Sequence, residues 1–195
     1  MMKFLAAGFV ILVVGLIWLF FFSVPPYTPS EIRGNILGAE SGEVEIVMYS
    51  DFLCPACKAA DPIVKKILED YPNSTKLVYK HMVIHDAAMP LAIAVECAGD
   101  QGKFWEMHDK IFENQNRAEY MNMADLAETL GMDKGNFSAC MRSGAGAMRQ
   151  RIAEDMKEAR AAGVKATPSF VINGKFREGL ISYSDMKSMT EQIMG

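Results

Sequence analysis

The chain has 195 residues, 20 lysines and arginines against 24 aspartates and glutamates, and a formal net charge of −4. Its basic residues are scattered, which gives no basic surface for nucleic acid, so we expect no nucleic-acid binding. The length suits one ordinary domain with its own hydrophobic core. Two of its four cysteines stand at C-x-x-C spacing and two are isolated, which indicates two separate roles.

The N-terminal segment is strongly apolar. Residues 4–24 contain no charged side chain, and a helix of that length spans roughly 30 Å, the thickness of a bilayer core. No small-residue cleavage site follows it, and the chain continues into Pro25-Pro26. We therefore predict an uncleaved transmembrane signal anchor over residues 1–24. A cleaved signal peptide and a buried core helix are the alternatives.

The flanks of this segment predict where the rest of the chain lies. Lys3 precedes the apolar run, which under the positive-inside rule holds the N-terminus in the cytoplasm. The remaining residues would then lie outside the cytoplasm, as a domain held at the cell membrane by a single pass, where disulfides can form. Residues 25–42 are rich in proline and glycine and are predicted to be a tether.

The following residues alternate between strand and helix patterns. Apolar periodicity predicts a strand from residue 43 to 50, a helix from 55 to 71, a strand from 76 to 84, an almost wholly helical stretch of about 87–163, and strands at 169–173 and 175–178. Asn173-Gly174 is a strong hairpin turn between the last two strands. A final helix begins at Ser182 or Ser184. The predicted class is α/β, with a helical insertion between two halves of one sheet.

The tetrapeptide Cys54-Pro55-Ala56-Cys57 falls where the first strand leads into the first helix. A cysteine at a helix N-terminus faces unpaired backbone N–H groups and the positive end of the helix dipole, which favour the thiolate. Pro55 suits the first helical position because its fixed φ matches the helix. Cys57 lies one turn further on and can reach back to Cys54. We therefore predict Cys54 as the nucleophile and Cys57 as the resolving thiol of disulfide exchange.

Two other interpretations of the C-x-x-C remain open. It could be half of a metal site, for which His81 and His85 are the only histidines at a ligand-like spacing of four, although one lies at a strand end and the other beyond it. It could also be a purely structural disulfide. We predict no metal and no bound cofactor, because a second C-x-x-C or an H-x-x-x-H placed for shared ligation is missing from the sequence.

Three runs together resemble the DsbA-like branch of the thioredoxin superfamily. They are residues 49–58 (YSDFLCPACK), 101–109 (QGKFWEMHD) and 166–174 (ATPSFVING). The order of elements over residues 43–195 is also similar, including the helical insertion. The resemblance implies a thioredoxin fold with an inserted helical subdomain and the activity of a protein thiol–disulfide oxidoreductase.

The resemblance also implies roles for particular residues. Thr167-Pro168 matches the loop that faces the reactive cysteines through a cis peptide bond and pairs with the substrate peptide. Many relatives carry a buried glutamate at the position of Met48, where it exchanges protons with the resolving thiol. Asp51 and Glu45 are the nearest acids that could replace it, although Asp51 is expected to be a solvated loop residue.

The isolated cysteines, Cys97 and Cys140, both fall in the helical insertion. Some members of the DsbA-like branch carry a structural disulfide there, and an oxidising compartment would favour a bond between the two. Two buried free thiols and a second redox relay are the alternatives. His108 lies on an apolar helical face and is expected to be a packing residue.

The function that these features predict is donation of disulfides to reduced or incompletely folded proteins. The resemblance implies reoxidation by a membrane partner of DsbB or vitamin K epoxide reductase type. A reductase or isomerase that receives electrons through the membrane is the nearest alternative, because the dipeptide Pro55-Ala56 lacks the histidine of strongly oxidising relatives. A membrane-tethered metallochaperone is the alternative from another class.

Overall fold

A five-stranded mixed sheet lies at the centre of residues 35–195, the part of the chain that the computed structural model describes. The strands are β1 (Ile36–Gly38), β2 (Val44–Ser50), β3 (Thr75–His81), β4 (Ser169–Ile172) and β5 (Lys175–Glu178), in the spatial order β1-β3-β2-β4-β5. Strands β2 and β3 are parallel, and the other neighbouring pairs are antiparallel. The sheet therefore contains one strand–helix–strand crossover, as the sequence predicted.

Within residues 35–195, seven α-helices accompany the sheet. They are α1 (Pro55–Asp70), α2 (Met89–Gly99), α3 (Phe104–Glu113), α4 (Met123–Thr129), α5 (Lys134–Ala139), α6 (Ala145–Ala161) and α7 (Tyr183–Met194). Short 3₁₀ segments occupy Asp86–Ala88 and Gln115–Tyr120, and a π-helical segment, Cys140–Gly144, joins α5 to α6. Helices α2 to α6 form the predicted insertion between β3 and β4. The predicted α/β class with a helical insertion is thus confirmed.

Alternation along the strands explains which faces are buried. In β2 the side chains of Val44, Ile46 and Met48 point into a core that α1 and α7 cover. A second core lies between the active-site end of the sheet and the helical insertion, and it contains both cysteines of the C-x-x-C. The tetrapeptide Cys54-Pro55-Ala56-Cys57 therefore lies at the junction of the sheet and the insertion.

The structure differs from the predicted tether of residues 25–42 in its last part. Ile36–Gly38 forms β1, an antiparallel edge strand paired with β3. The backbone N–H of Tyr79 donates to Asn35 O at 2.9 Å, and Trp105 Nε1 donates to Ile36 O at 3.1 Å. The chain therefore joins the sheet before residue 43, because these backbone groups find partners there.

The predicted signal anchor, residues 1–24, lies outside the described residues. Within residues 35–195 none of the helices combines the length and apolar character needed to cross a membrane.

The hairpin turn and the second cysteine pair are both formed. Asn173 and Gly174 adopt positive φ angles of 41° and 79° between β4 and β5, as their sequence predicts. Cys97 in α2 and Cys140 at the start of the π-helical segment are joined by a disulfide with a Cα–Cα distance of 5.8 Å. Both sulfurs are buried, so this bond fastens α2 to the α5–α6 junction inside the insertion.

Candidate active site

Cys54 is the N-cap residue of α1, and Pro55 is the first residue of the helix. Strand β2 ends at Ser50, and a turn brings the chain into α1, with Cys54 N donating to Asp51 O at 3.1 Å. The thiol makes no capping hydrogen bond to the helix and is 8% exposed. Cys54 thus places a nearly covered sulfur at the positive end of the helix dipole.

Cys57 lies one turn into α1 and is fully buried. Its Sγ accepts the backbone N–H of Asp51 at 3.5 Å. Burial raises the pKa of the Cys57 thiol to about 12, against smaller opposing effects from Ser50, the Asp51 N–H and Thr167. Both cysteines of the tetrapeptide are free thiols in the structure. The two thiols are therefore unequal, since Cys54 lies closer to solvent and Cys57 is held protonated in the interior.

The loop before β4 meets the thiols from the other side. The Thr167–Pro168 peptide bond is cis, as the resemblance implied. The Cys54 thiol donates to the carbonyl oxygen of Thr167 at 3.3 Å. Pro168 is buried and its carbonyl accepts the Gly179 N–H at 2.8 Å, whereas Thr167 is partly exposed. The structure therefore brings together Cys54, Cys57 and Thr167-Pro168, which are far apart in the sequence.

Asp51 is buried, so the prediction that it is a solvated loop acid was wrong. Its carboxylate accepts the backbone N–H groups of Leu53 at 2.7 Å, Ile84 at 2.7 Å and His85 at 2.8 Å. The His85 ring also approaches it, with Nδ1 at 3.2 Å from Oδ2. These bonds compensate the buried charge and tie the turn before Cys54 to the segment after β3.

Asp51 and Glu45 were the acids that could replace the glutamate found in relatives at the position of Met48. Neither presents its carboxylate to Cys57. The Asp51 carboxylate is occupied by backbone donors, and only its N–H contacts the thiol. Glu45 is near the start of β2, where its half-exposed carboxylate pairs with Lys76 at 2.8 Å. Met48 itself is buried in the core between β2 and the helices.

Two buried hydroxyl groups lie beside Cys57 that sequence reasoning missed. Ser50 and Tyr79 are each 1% exposed, and within residues 35–195 neither hydroxyl has a partner at full hydrogen-bond geometry. Ser50 nevertheless lies close enough to Cys57 and Tyr79 to lower the pKa of both groups. The two-residue alternation of β2 and β3 could have found these residues, because it places Ser50 on the face of Met48 and Tyr79 on the buried face of β3.

Gln115 is a further residue of the site that its sequence did not reveal. It lies in the 3₁₀ segment after α3, and its Nε2 donates to Phe52 O at 2.9 Å and to Cys54 O at 3.0 Å. The helical insertion thereby holds the backbone on both sides of Leu53. No local motif marks such a glutamine, since its partners are 61 and 63 positions away in the chain.

The histidines proposed as metal ligands have other partners. His81 is buried with Nε2 at 3.1 Å from Glu96 Oε1, and His85 faces Asp51. Among residues 35–195, the two groups of side chains close enough to share a cation are Asp61–His108–Asp109 and His81–Glu96–Asp155. Neither group includes Cys54 or Cys57, so the shared ligation considered from the sequence is not formed.

His108 is a packing residue, as predicted. Its ring is 1% exposed and meets the rings of Tyr79 and Phe112 edge to face, with centroids at 4.8 and 4.9 Å. Burial lowers the pKa of His108, while its hydrogen bond to Asp109 and the nearby charge of Asp61 act in the opposite direction. The ring therefore fills the space behind the active site.

Comparison with known proteins agrees with this geometry. A family model described as thioredoxin matches residues 30–192, so the chain belongs to the thioredoxin family. The structure superimposes on BdbD of Bacillus subtilis with a TM-score of 0.73 and 23% identity, covering 87% of this chain and 98% of that one. Pseudomonas aeruginosa DsbA2 gives a TM-score of 0.69 and 24% identity, covering 85% and 97%. The chain thus has the fold of these two proteins.

One curated relative that matches this chain is described as a different kind of protein. Residues of this chain are 37% identical over 150 positions to a protein of Salinispora arenicola described as Na(+)/H(+) antiporter NhaA 1. The match covers 75% of this chain and 22% of the relative. The chain therefore spans about a fifth of the length of that relative.

Proposed function

We propose that this protein is an extracytoplasmic thiol–disulfide oxidoreductase that donates disulfides to reduced or folding proteins through Cys54 and Cys57. The observation that carries the proposal is the pairing of a free Cys54 thiol at a helix N-terminus with the Thr167 carbonyl at 3.3 Å. A purely structural disulfide between Cys54 and Cys57 would not require the partly exposed Thr167 loop beside it. Family membership and the shared fold support the same chemistry.

The reaction begins with the oxidised protein, in which Cys54 and Cys57 are bonded. A substrate thiolate attacks Cys54 Sγ, the Cys54–Cys57 bond breaks, and Cys57 leaves as a thiolate that takes up a proton. A second substrate thiolate then attacks the substrate sulfur of the mixed disulfide. The substrate gains a disulfide, and Cys54 leaves as a thiolate, which the helix N-terminus stabilises.

The unequal environments of the two sulfurs support this division of roles. Cys54 is the sulfur nearer to solvent, next to the partly exposed Ala56 and Thr167, so an incoming chain can reach it. Cys57 is fully buried, and its pKa of about 12 keeps it protonated once it has left. A substrate peptide would lie along Thr167-Pro168, as the resemblance to the DsbA-like branch implies.

The direction of electron flow and the location belong to the proposal as well. Residues 1–24 would anchor the domain outside the cytoplasm, and a membrane partner of DsbB or vitamin K epoxide reductase type would reoxidise it. The alternative is a reductase or isomerase supplied with electrons through the membrane. The dipeptide Pro55-Ala56 favours this alternative, because it brings no histidine to stabilise the Cys54 thiolate.

An oxidative refolding assay tests the proposal. The oxidised full chain is mixed with a reduced, unfolded protein that regains activity only with its disulfides, and Cys54→Ser serves as the inactive control. We expect one substrate disulfide per protein molecule in the absence of an added oxidant. A substrate that stays reduced while the Cys54–Cys57 disulfide persists would support the reductase alternative.

The metallochaperone alternative requires a separate measurement. Freshly reduced protein is incubated with Cu(I) or Zn²⁺, passed through a desalting column and analysed for metal beside the Cys54→Ser variant. Stoichiometric metal that is lost in the variant would contradict the redox assignment. Metal below a tenth of an equivalent in both proteins would agree with it.

A further inference from the structure

Cys57 must exchange a proton in the interior of the protein. This step rests on the proposed function, in which Cys57 leaves the disulfide as a thiolate, or attacks a mixed disulfide in the reverse direction. Its sulfur is fully buried, and burial raises the pKa of the thiol to about 12. Relatives use a strand carboxylate for such an exchange, but this chain has Met48 there, and the carboxylates of Asp51 and Glu45 have other partners.

Ser50 and Tyr79 lie around the position that the carboxylate would occupy. Ser50 is two residues after Met48 on the same face of β2, and Tyr79 is the residue of β3 directly paired with Met48. Both hydroxyls are buried, and in the part of the chain described neither has a partner at full hydrogen-bond geometry. Buried hydroxyls without partners are rare, since burial removes their bonds to water, so this pair calls for a functional explanation.

The hydroxyls form a series that starts at Cys57. Ser50 directly precedes Asp51, whose N–H lies 3.5 Å from Cys57 Sγ, and the pairing of β2 with β3 places it beside Tyr79 on one face of the sheet. Its effect on the pKa of both groups agrees with these positions. The Tyr79 ring in turn meets the His108 ring edge to face with centroids at 4.8 Å, and His108 Nε2 lies 3.9 Å from Asp61 Oδ1. Asp61 is on α1, one turn after Cys57; its side chain is 15% exposed and forms an ion pair with Lys65 at 3.0 Å. The series therefore leads from the buried thiol toward a side chain that contacts solvent.

We propose that the hydroxyls of Ser50 and Tyr79 carry the proton to and from Cys57. When Cys57 leaves the disulfide, Ser50 Oγ gives its proton to the sulfur and takes one from Tyr79, which then regains one from solvent. Each hydroxyl gives one proton and receives one, so the net change is the transfer of one proton from solvent to Cys57. The same path runs in reverse when Cys57 is the attacking thiol.

The test separates the chemistry of the two cysteines. The reduced full chain is mixed with 5,5′-dithiobis(2-nitrobenzoic acid) in a stopped-flow instrument. Cys54 attacks first and releases one thionitrobenzoate, and Cys57 then attacks the mixed disulfide and releases the second. The variants are Ser50→Ala and Tyr79→Phe. Tyr49→Phe is the matched control, because it removes a tyrosine hydroxyl from β2 that bonds to Glu158 at 3.2 Å instead.

We expect Ser50→Ala and Tyr79→Phe to slow the second phase by about tenfold or more and to leave the first phase unchanged. Their thermal stability should be equal to or above that of the natural protein, because each loses a buried hydroxyl that, within residues 35–195, has no partner at full hydrogen-bond geometry. Ser50→Thr, which keeps a hydroxyl, should restore the second phase, and Tyr49→Phe should leave both phases unchanged.

The second phase of the natural protein should also slow in D₂O, and this isotope effect should be smaller in the two variants. A second phase at the natural rate in either Ser50→Ala or Tyr79→Phe would overturn the two-hydroxyl path. Failure of the proposed function is distinguishable, because then the natural protein would not release the second thionitrobenzoate, or Cys54→Ser would keep the first phase.

Discussion

The chain contains two cysteine pairs that are equally buried and chemically different. Cys54 and Cys57 are 8% and 0% exposed, and Cys97 and Cys140 are each 1% exposed. The first pair consists of free thiols at a helix N-terminus, whereas the second is a disulfide between cysteines 43 positions apart in the sequence. Burial therefore does not determine which sulfurs react. The helix terminus, the Thr167 loop and the nearby hydroxyls distinguish the first pair.

The largest expected effect is the loss of exchange when the first pair is broken. Cys54→Ala should reduce the rate of disulfide donation by roughly a thousandfold or more, because no other thiol of the site lies near solvent. Its melting temperature should remain close to that of the reduced natural protein. Oxidative refolding and circular dichroism measure the two quantities. A variant that still forms substrate disulfides would contradict the assignment of Cys54 as nucleophile.

For Cys97 and Cys140 we expect the reverse, a loss of stability with little change in the rate of disulfide exchange. The double variant Cys97→Ala/Cys140→Ala should lose about 2–4 kcal/mol of unfolding free energy, since the disulfide closes a long loop in the unfolded chain. Its rate of exchange should stay within about twofold of the natural protein. Urea unfolding beside the refolding assay checks both. Loss of exchange with unchanged stability would instead make Cys97 and Cys140 a second redox relay.

Asp51 should matter for the shape of the active-site turn. Asp51→Asn should reduce the unfolding free energy by about 1.5–3 kcal/mol, because an amide cannot accept all the backbone N–H groups that the carboxylate accepts. Glu45→Gln is the control; because the Glu45 carboxylate is half exposed, loss of its ion pair with Lys76 should cost at most about 0.5 kcal/mol. Equal stability of the two variants would show that the buried carboxylate does not hold the turn before Cys54.

The smallest effect concerns acid pH. The pKa of His108 is lowered by burial, so below about pH 6.5 the unfolded chain binds a proton more readily than the folded chain. Stability should therefore fall as the pH decreases from about 7 to about 5.5, and His108→Phe should flatten this dependence. Urea unfolding across that range measures it. Parallel curves for the two proteins would show that His108 does not contribute to the pH dependence.

Much of the fold could be predicted because its signals are local. The order of elements follows from apolar periodicity, and Asn173-Gly174 adopts the positive φ angles that a tight hairpin requires. The position of Cys54 before α1 follows from a strand that ends shortly before a proline well suited to the first helical position. These features depend on neighbouring residues alone.

The features that were missed depend on contacts between distant residues. Strand β1 has only three residues, and its partner β3 begins nearly forty positions later. Asp51 is buried because the backbone of Ile84 and His85 returns to it after β3, which no local pattern reports. Ser50 and Tyr79 are different, since strand alternation alone would have placed both on buried faces.

The reduction potential of the Cys54/Cys57 couple tests the central claim most directly. The full chain is equilibrated with glutathione buffers of known potential, and the oxidised fraction is measured by thiol alkylation and mass spectrometry. Donation of disulfides predicts a potential well above that of thioredoxin, about −270 mV, and in the direction of DsbA, about −120 mV. A potential close to that of thioredoxin would contradict it and establish the protein as a reductant.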